Sequence, residues 1–519
     1  MRRVARSSGR STSRTKRPSC SRSTPSASCP CASKCRCAGT RPTSSSRSRS
    51  TEPPAPRPRS VARTRERRGG NGHTPRVSRD AAIDPRLHFA RRQRVLDALG
   101  DGVLILPTAP ETMRNGDVLH EYRPGSDFHF LTGFPEPEAL LVAWRTGAKR
   151  HRSVLFVRPR DEEREIWDGR RHGVEGARRR FGVDDAHPVG EMWQRLGSLL
   201  DGKERLFHRF GADAEFDRRL FGVFAALARK HRRRAPAAHP ILQDPLPTIA
   251  ELRLVKDAAE LAAMHGAARA TAAGHLAAMR CTRPGMREYD VQAVLEAEFR
   301  RAGSPRNGYP SIVASGENAC VLHYHDNDRT MRAGDLLLID AGAEVAGCTG
   351  DVTRTFPVSG RFTEPQAAVY RVVLRAQIAG IRACRAGARW DAAHRTCLRS
   401  LTRGLVELGV LRGRVDRLVA RDAVKPWYMH GTSHWLGRDV HDVGAYLATG
   451  DRPQRLRAGM VLTVEPGLYF AADDRRVPRE LRGIGVRIED DVLVTKSGPE
   501  VLTAAAPKTI RDIEAACVR

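Results

Sequence analysis

The chain of 519 residues is long enough for two or three domains and a sizeable core. It is 40% hydrophobic and 29% charged, which excludes a wholly disordered chain, and it has no run of about 18 apolar residues to suggest a membrane span. The net charge of +30 points first to nucleic acid, but residues 1–80 hold 21 Lys+Arg against 3 Asp+Glu and so carry 18 of those 30 charges.

Residues 1–82 are rich in Arg, Ser, Thr and Pro and almost free of large aliphatics. Such a segment cannot bury enough apolar surface to offset its chain entropy, so a disordered basic tail is expected. It has no apolar stretch of the kind a secretory signal needs. Five of the 11 cysteines lie in it, at Cys20, Cys29, Cys31, Cys35 and Cys37, without the two-residue gaps usual in zinc knuckles. The other six are scattered, which fits a reduced, cytoplasmic protein. A nucleic-acid arm, a transit peptide and no function at all compete for the tail, and the last is favoured.

Leu87 to Leu99 reads as a helix, stopped by Gly100 and Gly102, and Val103–Leu106 as a strand. Ala139–Trp144 and Ser153–Val157 follow as strands, and Gly190–Leu200 and Arg218–Lys230 as helices. This alternation predicts an α/β domain over 83–247. Pro240, Pro245 and Pro247 mark a linker. Beyond it one long Ala-rich helix is expected over Ile249–Met279, then helices at Asp290–Arg301, Glu364–Ala386 and Trp390–Leu408. Strands are expected at Leu336–Ala341, Thr349–Phe356, Met460–Val464 and Gly485–Val494. Residues 248–519 therefore read as a helix-rich domain around a mostly antiparallel sheet, α+β in class. No internal repeat and no phosphate loop is present.

Chemistry concentrates in this second part. Asp340 ends the apolar run Leu336–Ile339, and a buried carboxylate needs a partner. Asp351 follows within Thr349–Arg354 and can face Asp340 across a hairpin. Alone, that pair is better read as a turn aspartate with a salt bridge to Arg354. His430, His434 and His441 fall within twelve residues of a Gly-punctuated stretch, which tilts them toward ligands or proton carriers. Glu465 ends the apolar strand Val461–Val464. Arg487 and Glu489 share a strand face, and Asp490 should point the other way as a solvated carboxylate. Four strand-borne carboxylates would repel without cations. Oxygen donors with one imidazole suit Mn²⁺ best, with Co²⁺ or Zn²⁺ as alternatives. Two such ions can turn a shared water into hydroxide, giving hydrolysis without a protein nucleophile. Cys348, close by in sequence, reads as packing.

These strings, in this order, resemble the pita-bread metallopeptidases, which include methionine aminopeptidase, prolidase, aminopeptidase P and creatinase. The carriers are Ser315-Gly316-Glu317-Asn318, Leu322-His323-Tyr324, Ile339-Asp340-Ala341-Gly342, Gly350–Pro357, His430–Gly444, Val464–Tyr469 and Arg487-Ile488-Glu489-Asp490. Ser433–Gly437 is more similar to aminopeptidase P than to prolidase. Tyr122-Arg123, Ser126-Asp127-Phe128 and Thr132–Glu138 extend the resemblance upstream, so that it covers roughly 84–515.

The resemblance implies a pita-bread catalytic domain preceded by a smaller creatinase-like α/β domain. It implies two divalent metals held by Asp340, Asp351, His434, Glu465 and Glu489, with Asp351 and Glu489 shared. His323, His430 and His441 match the histidines that handle protons and substrate, and Arg487 would orient carboxylates. Tyr469 and Tyr324 are candidates for either pocket or core. The implied activity is hydrolysis of the N-terminal Xaa-Pro bond of peptides through a metal-bridging hydroxide, Glu465 taking its proton. Prolidase activity on dipeptides and a non-catalytic binding role are the alternatives. The implied partners are peptides with proline second and further copies of the chain, as dimer or tetramer. No membrane is expected, and nucleic acid only through the tail. His129 departs from the family string, where Trp often follows Asp-Phe, and His325 is read as an exposed loop residue.

Overall fold

In this computed structural model the structure describes residues 84–148, 150–231 and 240–518. The expectations for the tail and its five cysteines lie outside the described residues.

The first part is built on a six-stranded mixed sheet. Its spatial order is Asp185–Pro188, Arg150–Val157, Leu140–Gly147, Val103–Pro107, Arg205–Phe207 and Ile241–Gln243. The strands at Val103, Leu140 and Arg150 pair antiparallel and the outer ones join in parallel. Successive side chains of a strand point to opposite faces, and both faces are covered here. Val103, Ile105, Leu140, Val142, Val154 and Phe156 pack against the helices Met192–Leu200 and Ala214–Lys230. Leu104, Leu106, Leu141, Ala143, Leu155 and Val157 pack against the helix Pro85–Leu99 and residues Phe128–Phe134. Two buried faces explain why these strands read as apolar runs rather than as an alternation. Asp84 starts the first helix, its carboxylate accepting from the Arg86 N–H at 2.9 Å.

Among the described residues the second part has five small antiparallel sheets, three of which frame the carboxylates. Leu336–Ala341 lies between Ile312–Ser315 and Val352–Pro357. Asp490–Val494 lies between Val461–Val464 and Pro499–Val501, and Gly467–Tyr469 pairs with Gly485–Arg487. Helices Ala258–Cys281, Glu288–Arg301, Glu364–Ala383 and Ala392–Glu407 pack around them on one continuous core.

Two expectations need correction. The long helix over 249–279 is two helices, Leu246–Leu254 and Ala258–Cys281. Val255 is extended and bridges Met460, and Asp257 begins the second helix with a reciprocal capping box to Glu260. The run Gly485–Val494 is likewise two strands in two sheets, so simple alternation fails across Ile488-Glu489. Asp490 is consequently not solvated: it is fully buried, accepting from Arg354 Nη2 at 2.7 Å, Gln377 Nε2 at 2.7 Å, Thr503 Oγ1 at 2.8 Å and Lys508 Nζ. Among the described residues no helix is long and apolar enough to cross a membrane.

Helix contact explains two glycines with opposite needs. A Cβ on Gly274 would lie 2.5 Å from Phe299 Cε1 and 3.0 Å from the Leu295 carbonyl oxygen, whereas one on Gly222 meets nothing within 4 Å. Gly274→Ala should therefore lower the thermal unfolding midpoint, at a cost of about 1–3 kcal/mol. Gly222→Ala should hold or raise it, by up to about 1 kcal/mol. Calorimetry of both variants checks the sign.

Candidate metal and active site

Backbone pairing brings the site together. Asp340 sits opposite Thr353 in the antiparallel pair. The Glu489 N–H donates to the Thr353 carbonyl at 3.1 Å, tying the Arg487–Asp490 turn beside Asp351. The histidine-bearing loop is pinned along the strand Val461–Val464: the Thr463 N–H donates to the His434 carbonyl at 3.0 Å and the Glu465 N–H to the Thr432 carbonyl at 2.8 Å. Residues more than a hundred positions apart thus converge.

Asp351, His434 and Glu489 each offer a ligand atom within 4.8 Å of the others'. His434 Nε2 is 3.3 Å from Asp351 Oδ2 and 3.8 Å from Glu465 Oε1. Asp340 joins through Tyr309, whose hydroxyl lies 2.6 Å from Asp340 Oδ1 and 2.5 Å from Asp351 Oδ1. Arg487 donates Nη2 to Asp340 Oδ2 at 2.6 Å, Nη1 to the Tyr469 hydroxyl at 3.1 Å and Nε to Thr353 Oγ1 at 3.0 Å. Thr353 in turn donates to Glu489 Oε2 at 2.6 Å. The pairing of Arg354 with Asp340 or Asp351 does not occur, because Arg354 serves Asp490.

The histidines divide. His430 Nε2 is 2.7 Å from the Tyr469 hydroxyl, and its Nδ1 is 3.6 Å from Glu465 Oε2. The His441 ring stands edge-on to that of His434, centroids 4.5 Å apart. His323 is exposed at the rim, stacked on His325 at 6.4 Å, and makes no hydrogen bond to the cluster. Tyr324 turns away and donates to Glu288 at 2.8 Å. Cys348 packs with Met264, Leu436, Val461 and Leu493, and burial pushes its thiol up to about 11. His129 is hydrogen-bonded to Arg438 Nη1 at 2.9 Å.

Burial and mutual repulsion raise two of the carboxylates, Glu465 and Glu489. Burial is the largest cause for Glu465, pushed up to about 7 although His434 and Arg487 pull it down. Glu489 is held well above the usual range by burial and by the charges of Asp351, Glu465 and Asp340. His434 goes the other way. Burial would lower it, but the Asp351 hydrogen bond and the charges of Asp351 and Glu465 win and lift it to about 9. Burial and the His434 charge depress His441.

The donor set fits divalent cations. Four carboxylates face one guanidinium, and the phenol of Tyr309 has one proton for two carboxylate oxygens. Oxygen donors plus one imidazole, with no thiolate, match hard to borderline ions. Three contributors lay outside the sequence reading: Tyr309, Thr353 and Asp491. Asp491 accepts from the Asp351 N–H at 3.1 Å and leaves its second oxygen buried without a partner. Thr353 and Asp491 stand inside strings already picked out, whereas Tyr309 carried no local signal.

A cation that enters must displace the protons held on Glu465, Glu489 and His434. Its binding should therefore release protons and strengthen as the pH rises through about 7. Titration calorimetry of chelator-treated protein with MnCl₂, in buffers of different ionisation enthalpy, measures that release. The ion should also raise the unfolding midpoint, and Asp351→Asn should abolish most of that rise.

The chain matches the family model described as Metallopeptidase family M24 over residues 262–496 and that described as Aminopeptidase P, N-terminal domain over 88–207. It is 44% identical over 429 residues to the Xaa-Pro aminopeptidase of Escherichia coli K12, covering 82% of this chain and 96% of that one. The Xaa-Pro aminopeptidase of Haemophilus influenzae is 41% identical over 425 residues, covering 82% and 95%. Among solved structures, Pseudomonas aeruginosa aminopeptidase PepP superposes with a TM-score of 0.81 at 45% identity, over 84% of this chain and 98% of that one. Zn-substituted E. coli aminopeptidase P in complex with product gives 0.81 at 43% identity, over 84% and 99%. Agreement at that level along both the six-stranded domain and the carboxylate-bearing domain shows that the chain belongs to the Xaa-Pro aminopeptidase family, with an M24 metallopeptidase domain and an aminopeptidase P N-terminal domain.

Proposed function

We propose that the chain hydrolyses the N-terminal Xaa-Pro bond of peptides at a dinuclear centre held by Asp340, Asp351, His434, Glu465 and Glu489. The observation that carries this reading is the meeting of those side chains, drawn from one strand, the turns beside three others and one loop, in a member of this family. Two divalent ions there, Mn²⁺ suiting the donors best, would supply Lewis acidity and make water acidic enough to ionise near neutral pH. Asp340, Asp351, His434, Glu465 and Glu489 would hold them.

The remaining work falls to the chain's own side chains. Glu465, poised near neutrality, accepts the proton of the attacking water. Arg487 aligns Asp340, donating Nη2 to its Oδ2 at 2.6 Å from a planar guanidinium. His441 donates toward the oxygen on which charge develops. The proline nitrogen has no N–H before cleavage and needs one proton to leave as an amine; His323 and His430 are the histidines proposed to supply it.

The chain divides in this reading into the tail, an α/β domain over 83–247 and the catalytic domain over 248–519. Ile166 and Trp167, 81% and 84% exposed on the helix Glu162–Asp168, support burial against a second copy. All six described cysteines are free, in keeping with a reduced, cytoplasmic setting.

Metal-loaded protein offered Ala-Pro-Ala and Ala-Pro decides between the readings by mass spectrometry. Release of Ala and Pro-Ala supports the proposal. Turnover of the dipeptide alone makes the chain a prolidase, and silence on both with metal bound favours a binding role. Glu465→Ala should lose at least about a hundredfold in kcat with its unfolding midpoint unchanged. Near-normal turnover by that variant would overturn the assignment.

A further inference from the structure

The loop that carries His441 is held from an unexpected direction. Asp442 is buried and donates its N–H to the Trp435 carbonyl at 2.9 Å. Its carboxylate accepts from Lys256 Nζ at 2.7 Å on one oxygen and from Arg253 Nη2 on the other. All three side chains are at most 2% exposed. Arg253 then reaches out of the catalytic domain: Nη1 donates to Asp127 Oδ1 at 2.6 Å, and Nη2 also to Asp439 Oδ2 at 2.9 Å. Ser126 Oγ donates to Asp439 Oδ1 at 2.6 Å, and Arg123 Nη2 to the Arg438 carbonyl at 2.6 Å. Gly437 leaves room for this knot, since a Cβ there would strike Asp442 Oδ2 and sit 2.7 Å from Lys256 Nζ.

Four links from one segment of the small domain, Arg123, Ser126, Asp127 and His129, thus end on residues 438–442, directly or through Arg253. Buried charges are a poor way to buy stability, because apolar side chains of equal volume hold a fold at least as well. What such charges give is direction. The residue in that loop that faces the carboxylate cluster is His441, its ring centroid 4.5 Å from that of His434.

We infer that the 123–129 segment of the small domain is a positioning element for His441, with Asp127 acting on the loop through Arg253 and Asp442. The inference rests on the role proposed for His441. Catalysis is sensitive to sub-ångström placement of a proton donor, so a loosened clamp should slow the chemical step without weakening substrate binding.

The test is a double-mutant cycle on the metal-loaded enzyme with Ala-Pro-Ala. Asp127→Asn is close to isosteric and removes one of the three carboxylate charges around Arg253. It should lower kcat by roughly tenfold or more, with KM within about a factor of two, and with metal content and unfolding midpoint unchanged. Asp127→Glu should restore most of kcat. In a His441→Ala background, Asp127→Asn should cost nothing further, because the group it positions is gone. Should Asp127→Asn unfold, Ser126→Ala removes one link to Asp439 and carries the same cycle with a smaller loss. Independent, multiplicative losses, or an unchanged kcat, would overturn the clamp while leaving wild-type turnover, and the proposed function, intact. An inert wild type would overturn both.

Discussion

The structure depends on one constraint: four carboxylates and an imidazole must be kept together in a place where water is largely excluded. Burial, and after it the like charges at this spacing, disfavour ionisation, and Glu465 and Glu489 register that as raised pKa values. A flexible loop would relieve the repulsion by moving. These groups cannot, because each sits on a backbone fixed by sheet pairing or by hydrogen bonds to a neighbouring strand. The fold supplies rigidity, and the electrostatic cost it stores is what a divalent cation relieves. Arg487, Thr353 and Tyr309 neutralise or satisfy individual oxygens, but one guanidinium cannot balance four carboxylates.

Rigidity alone would not bring Asp340 and Asp351 into contact with one phenol. The chain after Asp340 must cross the chain before Asp351 at very short range. Gly342 permits this, since a Cβ there would collide with the Gly350 carbonyl and approach Tyr309 Cε1 to 3.1 Å. A side chain at 342 would push the two carboxylates apart and displace Tyr309 together. Glycine is required at this position by close approach, not by an unusual backbone angle. The Glu465-Pro466-Gly467 turn does related work on the opposite sheet, carrying the chain from one strand pair to the next just beyond the carboxylate.

How much of this was legible in the sequence follows from which interactions are local. Apolar runs ending in a carboxylate marked Asp340 and Glu465, since a strand end at a sheet rim is a local feature. The two-sided burial of the six-stranded sheet was legible for the same reason, as uninterrupted runs such as Val103–Leu106. The break at Val255-Lys256-Asp257 was also written locally, in Asp257-Ala-Ala-Glu260, but the flanking helical periodicity masked it. Asp490 was misread because its environment is set by Arg354, Gln377 and Lys508, partners from other elements that no alternation rule reaches. Tyr309 was invisible for the same physical reason: its function exists only in a long-range crossing. The five candidate ligands were found together because a resemblance supplied their order, whereas spacing alone had left the aspartate pair open to an ordinary salt bridge.

The small domain then poses a question of its own. Among the described residues both faces of its sheet are buried, one of them partly under Ile249 and Leu252 of the helix Leu246–Leu254. What it does present to the catalytic domain is an edge segment, residues 121–129, studded with polar side chains that find partners there: Glu121 with Arg306, Arg123 with Glu344, Asp127 with Arg253 and His129 with Arg438. His129 shows how specific that junction is. Burial and the charges of Arg438 and His88 keep its imidazole neutral, so that Nδ1 can accept from Arg438, whose Nε is shared with Glu260. A ring of the same position without an acceptor nitrogen would leave that guanidinium donor buried and unmet. A domain joined by directional charged contacts rather than by a greasy face fixes orientation as well as proximity, and orientation is the quantity a proton-transfer site needs.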